Sequence, residues 1–598
     1  MYCSERNLKF LLYEVLNIDS VTKYEYFKES KNKRVVDMTI KAAFELADRL
    51  FRPIYEEMDK KPPYLKNGEL VVHEKVKEIM KECGDGGWIG AAFPIEYDGF
   101  QMPAMLHLAC RFILSAANYS AGVFPNLTSG AARLILNFGT ALQKKLYLPK
   151  MINGQWQGTM ALTEPDAGSF LGDIKTLAEH VDSEDYYRIS GQKIFISAGD
   201  HNNTENVVHL LLARIKGAPS GVKGISLFVV PKLRVEEDNK LLPNDVVLAE
   251  VFHKLGYKGC PITKLNFGDN NDCRGYLVGE ENKGLTQMFQ MMNEARISVG
   301  IGATAIASAA YYSALYYTKE RRQGRSLDDK DQEAPVIPII EHPDVKRMLL
   351  YQKSVIEGAL CLLLQGAKYS DLEIVSDDDE KKRFKLLLDL LTPIFKGYPT
   401  EKGVIATSNA LQCFGGYGYC DDFPVEQMYR DIRIHPLHEG TTGIQAIDLL
   451  NRKIRYKNGK AYEILCEEIF KTINQTDLIE ELKYYSKKME EAIRKLTTVT
   501  EYMVHQSKTK KKSVWLSDAT LYLDMFGTVV VAWQWLVQGK AIVDGLKRNE
   551  NIKEKKFYKG KLNALRFFFD YELNTIYGLS IRLLNNDELL VEMQEDEF

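Results

Sequence analysis

One carboxylate in the chain stands where it could do chemistry. Glu439 is followed at once by Gly440 and then by the run TTG (441–443), so a tight and mobile turn would present its side chain. The helical pattern resumes at Ile444. A carboxylate at the start of a helix also commonly stabilises the positive end of the helix dipole. The residues alone leave both roles open for Glu439.

A second group of polar residues lies where the periodicity changes. In the segment TEPDAGS (163–169), Thr163 and Ser169 bracket a proline and a glycine at the end of the first β-rich run. The triplet FIS (195–197) follows on a later run, and strand alternation places Phe195 and Ser197 on one face. Each segment by itself would be an ordinary polar turn or a half-buried strand.

A third group combines cations with glycine. Arginine supplies a bidentate cation, and glycine lets a backbone N–H approach a phosphate group. A looser dinucleotide pattern at 300–305 (GIGATA) lies inside a helical stretch with no strand before it, and we reject it. The residues concerned are Arg321, Gln323, His342, Gln412, Gly415 and Gly416, and their types and spacing alone do not join them into one site.

Periodicity predicts an α+β multidomain chain whose elements position these residues. Residues 1–40 form a helical arm, 41–154 an all-α domain, and 155–280 a central antiparallel barrel or sandwich of short strands. Helices return over 281–455, and 456–598 add a further helical domain in which Trp515, Trp533 and Trp535 are core anchors. The uncharged run between Arg296 and Lys319 is rich in small residues, which favours a buried helix over a membrane span.

The composition of the chain limits the classes of function that it can have. The 598 residues are 45% apolar and 27% charged, with a net charge of -3, which is typical of a globular protein of several domains. This balance argues against a nucleic-acid or anionic-membrane partner. The nine cysteines contain no CxxC pair, so we expect reduced thiols in the cytoplasm, without a disulfide framework or metal site. Charges within the first apolar run exclude a secretory signal.

Taken in order, the chemical segments resemble the acyl-CoA dehydrogenase family. RD at 430–431, HEGT at 438–441 and GIQ at 443–445 match the family pattern RD, YEGT and IQ. TEPDAGS and FIS match its flavin-contacting segments, although Phe170 stands where Asp is usual. The likeness covers about residues 40–455 and implies a four-helix bundle over 281–455. The longer domain arrangement, with an N-terminal arm and C-terminal helices, is most similar to the subgroup that contains 3-methylmercaptopropionyl-CoA dehydrogenases.

The resemblance implies an FAD-dependent dehydrogenase in which Glu439 is the catalytic base. Some relatives carry the base at the position of Ala295, and one helical step rotates the neighbouring Glu294 by about 100° away from it. The implied substrate contacts are Ser169, Met292, Asn293, Arg296 and Gly440. The implied FAD contacts are Met160, Leu162, Thr163, Ser169, Phe195, Ile196, Ser197, Arg321, Gln323, His342, Gln412, Gly415, Gly416, Thr441 and Gly443.

The resemblance also implies partners. The acyl-CoA is the substrate, electron-transfer flavoprotein is the acceptor, and a homodimer forms because FAD contacts cross a subunit interface. An oxidase of the same fold that uses oxygen stays open. A non-catalytic, DNA-associated relative is the alternative from another class, and the basic run Lys508–Lys512 is its one support.

Overall fold

The computed structural model describes residues 1–598 except 237–239, 329–330, 332, 549 and 586, and it describes no side chains over 289–294. Its contacts divide the chain into two units. We call residues Met1–Lys31, Pro103–Phe112 and Arg296–Phe598 the helical unit. Residues Asn32–Met102 and Ile113–Ala295 form the sheet unit.

The α-helices of the described residues are α1 (Glu5–Lys9), α2 (Asp19–Thr22), α3 (Lys33–Leu46), α4 (Tyr55–Lys60), α5 (Lys75–Asp85), α6 (Ala104–Ala117), α7 (Tyr119–Phe138), α8 (Ala141–Ile152), α9 (Gly284–Glu320), α10 (Pro343–Val375), α11 (Asp378–Cys413), α12 (Val425–Ile432), α13 (Thr442–Ile447), α14 (Lys460–Thr476), α15 (Lys483–Thr509), α16 (Lys512–Trp515), α17 (Ala519–Arg548), α18 (Ile552–Phe567), α19 (Thr575–Leu584) and α20 (Leu589–Glu592).

The strands are β1 (Tyr64–Lys66), β2 (Glu69–Val71), β3 (Trp156–Ala161), β4 (Leu177–His180), β5 (Tyr187–Ser197), β6 (Asn206–Ile215), β7 (Ile225–Pro231), β8 (Leu233–Val235), β9 (Leu241–Pro243), β10 (Val246–Val251), β11 (Ile262–Phe267) and β12 (Arg274–Leu277).

The sheet unit is built on one eight-stranded sheet. Its strand order is β10-β11-β5-β12-β7-β6-β3, and β4 pairs with both β5 and β6. Along β6, Leu210 and Leu212 join one buried cluster while Leu211 and Ala213 join the other. Because both faces of this strand are covered, its sequence is a continuous apolar run rather than an alternation.

The expectation of a wholly antiparallel sheet needs one correction. β3 and β4 each pair with β6 in parallel, whereas the other pairings are antiparallel. Parallel neighbours require a long connection, and the chain between β3 and β6 supplies it with β4 and β5. Strand spacing along the sequence carries no information about this direction.

Three long helices, α9, α10 and α11, dominate the helical unit, and α17 of the C-terminal extension packs directly on α10, α11 and α13. Trp515, Trp533 and Trp535 are each at most 2% exposed, which confirms them as core residues. The indole N–H of Trp535 donates to the carbonyl of Ser354 on α10 at 2.9 Å. The extension is therefore part of the same core as the bundle.

The N-terminal arm packs against the C-terminal helix α18. The Arg6 guanidinium lies 2.9 Å from a carboxylate oxygen of Glu554, and the Lys561 ammonium donates to the side-chain oxygen of Asn7 at 2.8 Å. Phe10 is fully buried and meets Phe557 edge-on at 5.6 Å. The two ends of the chain thus share one interface.

Two helical stretches of the described residues are long and apolar enough to span a membrane. They are Ala295–Glu320 and Lys512–Arg548, and 78% and 72% of their apolar windows are buried inside the protein. The core helices of a globular protein meet the same criterion. The burial of Ala295–Glu320 agrees with the prediction that the uncharged run after Arg296 is a buried helix.

Candidate active site

Glu439 lies on a turn whose backbone is left-handed at two successive residues. Its φ angle is +54°, and that of Gly440 is +85°. Pro436 closes the turn, because its carbonyl accepts hydrogen bonds from the backbone N–H of Thr442 at 3.1 Å and from the Lys396 ammonium at 3.0 Å. The carboxylate is therefore presented by a constrained loop rather than by a mobile one.

Helix α13 begins directly after this turn. The Thr441 hydroxyl caps it by accepting a hydrogen bond from the backbone N–H of Ile444 at 3.3 Å. The buried Gln445 amide donates back to the carbonyl of Glu439 at 3.2 Å. Gly440 suits this position because of its left-handed backbone angle, and a Cβ atom there would displace that amide nitrogen, 2.7 Å away. The cap and the amide together hold Glu439 at the start of the helix.

The electrostatics around Glu439 favour a stronger base than a carboxylate in water. Burial raises the pKa of the half-buried Glu439, and the positive charges of Arg296 and Lys396 limit the rise. Burial also lowers the pKa of Lys396 to about 8 and that of His438 to about 4. His438 is therefore neutral at pH 7, and Arg296 and Lys396 are the positive charges that act on the Glu439 carboxylate.

Arg296 enters the site from α9. It is 4% exposed, and its guanidinium lies 3.7 Å from a carboxylate oxygen of Asp448, which opens the π-helical turn Asp448–Lys453 after α13. π-Helical turns inside helices are frequent at functional sites. The Nε atom of Arg296 has no hydrogen-bond partner among the described residues, and neither has the Oε1 atom of Gln445. The first is an unused hydrogen-bond donor and the second an unused acceptor.

In the sheet unit, the segment TEPDAGS leaves β3 as a tight loop. Glu164 and Ala167 exchange backbone hydrogen bonds at 3.0 and 3.1 Å, and the carbonyl of Thr163 accepts the N–H of Ile194 at 2.9 Å. Ser169 is exposed, so its hydroxyl faces solvent in the protein alone. Met160 and Leu162 are half-buried against the core below this loop.

The FIS segment contains a β-bulge. Thr263 pairs with Ile196 and Leu265 with Lys193, so β5 carries one extra residue there. Phe195 adopts a φ of +58° and is 58% exposed, while Ile196 is buried and Ser197 half-buried. The bulge turns an aromatic ring outward next to a hydroxyl.

Two segments of the third group meet in the helical unit. Tyr317, one turn before Arg321, stacks on Phe414 with ring centroids 4.2 Å apart, and Gly415 follows Phe414. The His342 ring hydrogen-bonds to the carbonyl of Gln323 at 2.7 Å. Arg321, Gln323, Gln412, Gly415 and Gly416 are all exposed. The end of α9, the start of α10 and the turn after α11 thus form one exposed corner.

Two expected substrate contacts lie outside the described residues, because the side chains of Met292 and Asn293 belong to the undescribed stretch of α9. Three residues were missed by the sequence reasoning, namely Lys396, Lys193 and Gln445. A lysine between two prolines in the apolar run TPIFKGYP was a signal for Lys396, since a lysine is seldom fully buried unless it has a partner.

The helix–sheet–helix arrangement of these segments agrees with known proteins. Family models match in order: the acyl-CoA dehydrogenase N-terminal domain over residues 37–155, the middle domain over 159–270, the C-terminal domain over 282–454 and an acetyl-CoA dehydrogenase C-terminal-like domain over 465–594.

Relatives match over most of the chain. It is 41% identical to the 3-methylmercaptopropionyl-CoA dehydrogenase of Ruegeria pomeroyi over 68% of each chain. It is 32% identical to a broad-specificity linear acyl-CoA dehydrogenase of Mycobacterium tuberculosis over 99% of each chain. An acyl-CoA dehydrogenase from Bacillus anthracis complexed with FAD has the same fold, with a TM-score of 0.72 and 20% identity, and covers 95% of this chain and 90% of that one.

The chain belongs to the acyl-CoA dehydrogenase family. It is an FAD-dependent oxidoreductase that acts on an acyl-CoA, which confirms the fold class, the enzyme class and the cofactor predicted from the motifs.

The residues present suit FAD. Cβ atoms placed on Gly415 and Gly416 would have no described atom within 4 Å, so the backbone there is open to a phosphate group. Arg321 offers a cation in the same corner, and Phe195 offers an exposed ring in the sheet unit. Within the helical unit, an open backbone beside an arginine suits the phosphate groups of a dinucleotide. Within the sheet unit, an exposed aromatic ring suits a flat ring system.

Proposed function

We propose that the protein catalyses α,β-dehydrogenation of an acyl-CoA thioester, with Glu439 as the base that removes the α proton. The observation that carries the proposal is the constrained, half-buried Glu439 turn, in which burial raises the pKa of the carboxylate. Bound FAD supplies the acceptor for the β hydrogen as hydride.

The α C–H bond of a thioester is far too weak an acid for a carboxylate in water. A raised pKa makes Glu439 a better base, and exclusion of water strengthens every charge interaction in the site. The developing enolate oxygen needs hydrogen-bond donors, and the backbone N–H of Glu439 is one candidate. The positive charges of Arg296 and Lys396 favour the ionised form of Glu439, which is the form that can accept the proton.

The rate of flavin reduction should rise with pH through the raised pKa of Glu439, because only the ionised carboxylate can accept a proton. Below that pKa the base is protonated and the rate falls. A profile that is flat across the acidic range would contradict this assignment.

The decisive variant is Glu439→Gln. It keeps the size of the side chain but removes the base, so FAD and acyl-CoA should still bind while flavin reduction falls by at least about 10²–10⁴-fold. The measurement is anaerobic stopped-flow absorbance with the best substrate.

Glu294→Gln serves as the control. The α9 backbone is helical at this position, so the residue lies one helical step from Ala295, although its side chain is outside the described ones. We expect it to keep most activity. If Glu294→Gln were inactive and Glu439→Gln reduced normally, the base would be misassigned.

For the substrate, we propose a short to medium acyl chain, with a thioether or another substituent beyond Cβ as one option. The 41% identity to a 3-methylmercaptopropionyl-CoA dehydrogenase supports this choice. A panel of acyl-CoAs tests it by bleaching of the flavin band, and strong preference for long chains would overturn it.

For the acceptor, we propose electron-transfer flavoprotein, as the family resemblance implies. Reduced enzyme should reoxidise rapidly with electron-transfer flavoprotein and slowly with oxygen. Fast production of hydrogen peroxide in air would instead identify an oxidase.

A further inference from the structure

The sheet unit contains a fully buried ion pair that the reaction does not use. Lys193 is 0% exposed, and its ammonium lies 2.7 Å from a carboxylate oxygen of Glu164, which is 5% exposed. The ammonium also donates to the carbonyl of Leu162 at 3.1 Å. Glu164 further accepts the backbone N–H of Thr176 at 3.1 Å and its hydroxyl at 2.5 Å.

The pair joins the two segments of the sheet unit that the family resemblance assigns to FAD. Glu164 lies inside TEPDAGS, directly after Thr163, and Lys193 lies on β5 two residues before Phe195. A backbone hydrogen bond from Ile194 to Thr163, at 2.9 Å, runs beside it. The loop and the bulged strand are therefore fixed to each other by one ion pair and two hydrogen bonds to backbone carbonyls.

Stability does not explain such a pair. Removing two charges from water costs so much that apolar residues of similar volume often serve a core equally well or better. Burial lowers the pKa of Lys193 to about 8. Burial alone would raise the pKa of Glu164, but the charge of Lys193 and the hydrogen bond from the Thr176 hydroxyl outweigh it, so that pKa is lowered. The directed bonds of the pair fix a geometry that apolar contacts would leave free to slide.

We propose that Glu164 and Lys193 are positioning residues that hold Thr163 and the Phe195–Ser197 strand in the arrangement that binds the flavin ring. This inference rests on the proposed assignment of those two segments to FAD. Neither side chain needs to touch the cofactor. Loss of the pair should loosen the loop against the bulge and weaken FAD binding.

The test uses the full chain with Glu164→Gln, Lys193→Met and the double variant. FAD affinity is measured by titrating the apoprotein, the ring environment by visible circular dichroism, and stability by thermal unfolding. Either single variant should weaken FAD binding by about 10- to 100-fold, the range that loss of a supporting residue commonly costs. In the double variant, stability should recover because no lone charge stays buried, while FAD binding stays weak.

Glu179→Gln is the matched control. It removes a carboxylate from β4 of the same unit, outside both FAD segments, and its pair with Lys216, at 2.6 Å, is largely exposed and contributes little. FAD affinity and the dichroism spectrum should stay as in the wild type.

The outcomes separate the two proposals. A wild-type apoprotein that binds no FAD defeats the proposed function itself and this inference with it. If the wild type binds FAD and the single variants bind it equally well with an unchanged spectrum, only the positioning role is overturned. If the double variant recovers both stability and FAD affinity, the pair has only a structural role, and the positioning role is likewise overturned. Where a single variant fails to fold, the double variant alone decides.

Discussion

At the scale of single residues, two of the residues proposed to act in the reaction have a strained backbone. Glu439 and Phe195 both hold positive φ angles, +54° and +58°, which side-chain-bearing residues seldom adopt. Such conformations cost on the order of 1–3 kcal/mol each and persist where the surroundings enforce them. At Glu439 the enforcing contacts are the Gln445 amide, the Thr441 cap and the shared carbonyl of Pro436.

Lys396→Met tests the charge that acts on Glu439, the proposed base. Lys396 lowers the pKa of Glu439, so its removal should raise that pKa further. The acidic limb of the pH–rate profile for flavin reduction should then move to higher pH, with the rate at the plateau less affected. The measurement is stopped-flow reduction across the acidic and neutral range.

Lys385→Met on the same helix is the control, because that lysine is exposed and its charge is screened by water. It should leave the profile in place. A Lys396→Met profile that matches the wild type would show that Lys396 does not set the basicity of Glu439.

At the scale of elements, glycines allow α17 to lie close to the bundle. A Cβ atom on Gly527 would be 2.7 Å from the ring of Tyr398 on α11, and one on Gly397 would be 2.7 Å from Leu523. Gly358 on α10 faces Trp535 in the same way, at 2.7 Å. Gly397 directly follows Lys396, so this tight contact also supports the lysine that donates to the Glu439 turn.

Gly527→Ala should destabilise the protein. The added methyl group must displace the buried Tyr398 ring, and overpacking costs about 1–3 kcal/mol. This strain outweighs the roughly 1 kcal/mol that alanine gains over glycine inside a helix. Unfolding in urea, followed by circular dichroism, measures the change.

Gly560→Ala is the matched control on α18, where no described atom would lie within 4 Å of the new Cβ. Only the gain in helix propensity remains, so stability should rise by up to about 1 kcal/mol. Equal stabilisation by both variants would mean that α17 is not pressed against α11.

At the scale of the whole molecule, both chain ends belong to the helical unit. The arm contacts α18 through Arg6, Asn7 and Phe10, and α17 places its tryptophans in the core of the bundle. The N-terminal arm and the C-terminal extension are therefore structural parts of the helical unit that also contains the bundle. Removing either one would expose the surfaces it covers.

The minimum assembly should be a dimer. The exposed corner with Arg321, Gln323 and Gly416 also carries exposed aromatic rings, with Tyr417 at 50% and Tyr419 at 91% exposure. A partner subunit would cover these rings and share the FAD, as the family resemblance implies. Light scattering of the yellow, FAD-loaded protein measures the mass, and an FAD-loaded monomer would contradict the prediction.

The sequence by itself determined the family, the cofactor and the order of helical and β-rich segments. These follow from local patterns, namely TEPDAGS, FIS, the HEGT turn and the change of periodicity at residue 155, and each pattern is written in neighbouring residues. The burial of the C-terminal tryptophans was likewise readable from their apolar helical run.

Only the tertiary structure decided which distant residues share an environment. Lys396 meets the Glu439 turn, Lys193 meets Glu164, and β3 joins β6 in parallel through contacts between segments far apart in the chain. The left-handed angles of Glu439 and Phe195 also depend on these contacts. Burial, and with it every shifted pKa in the site, is a property of what surrounds a residue in space, and local sequence patterns do not encode it.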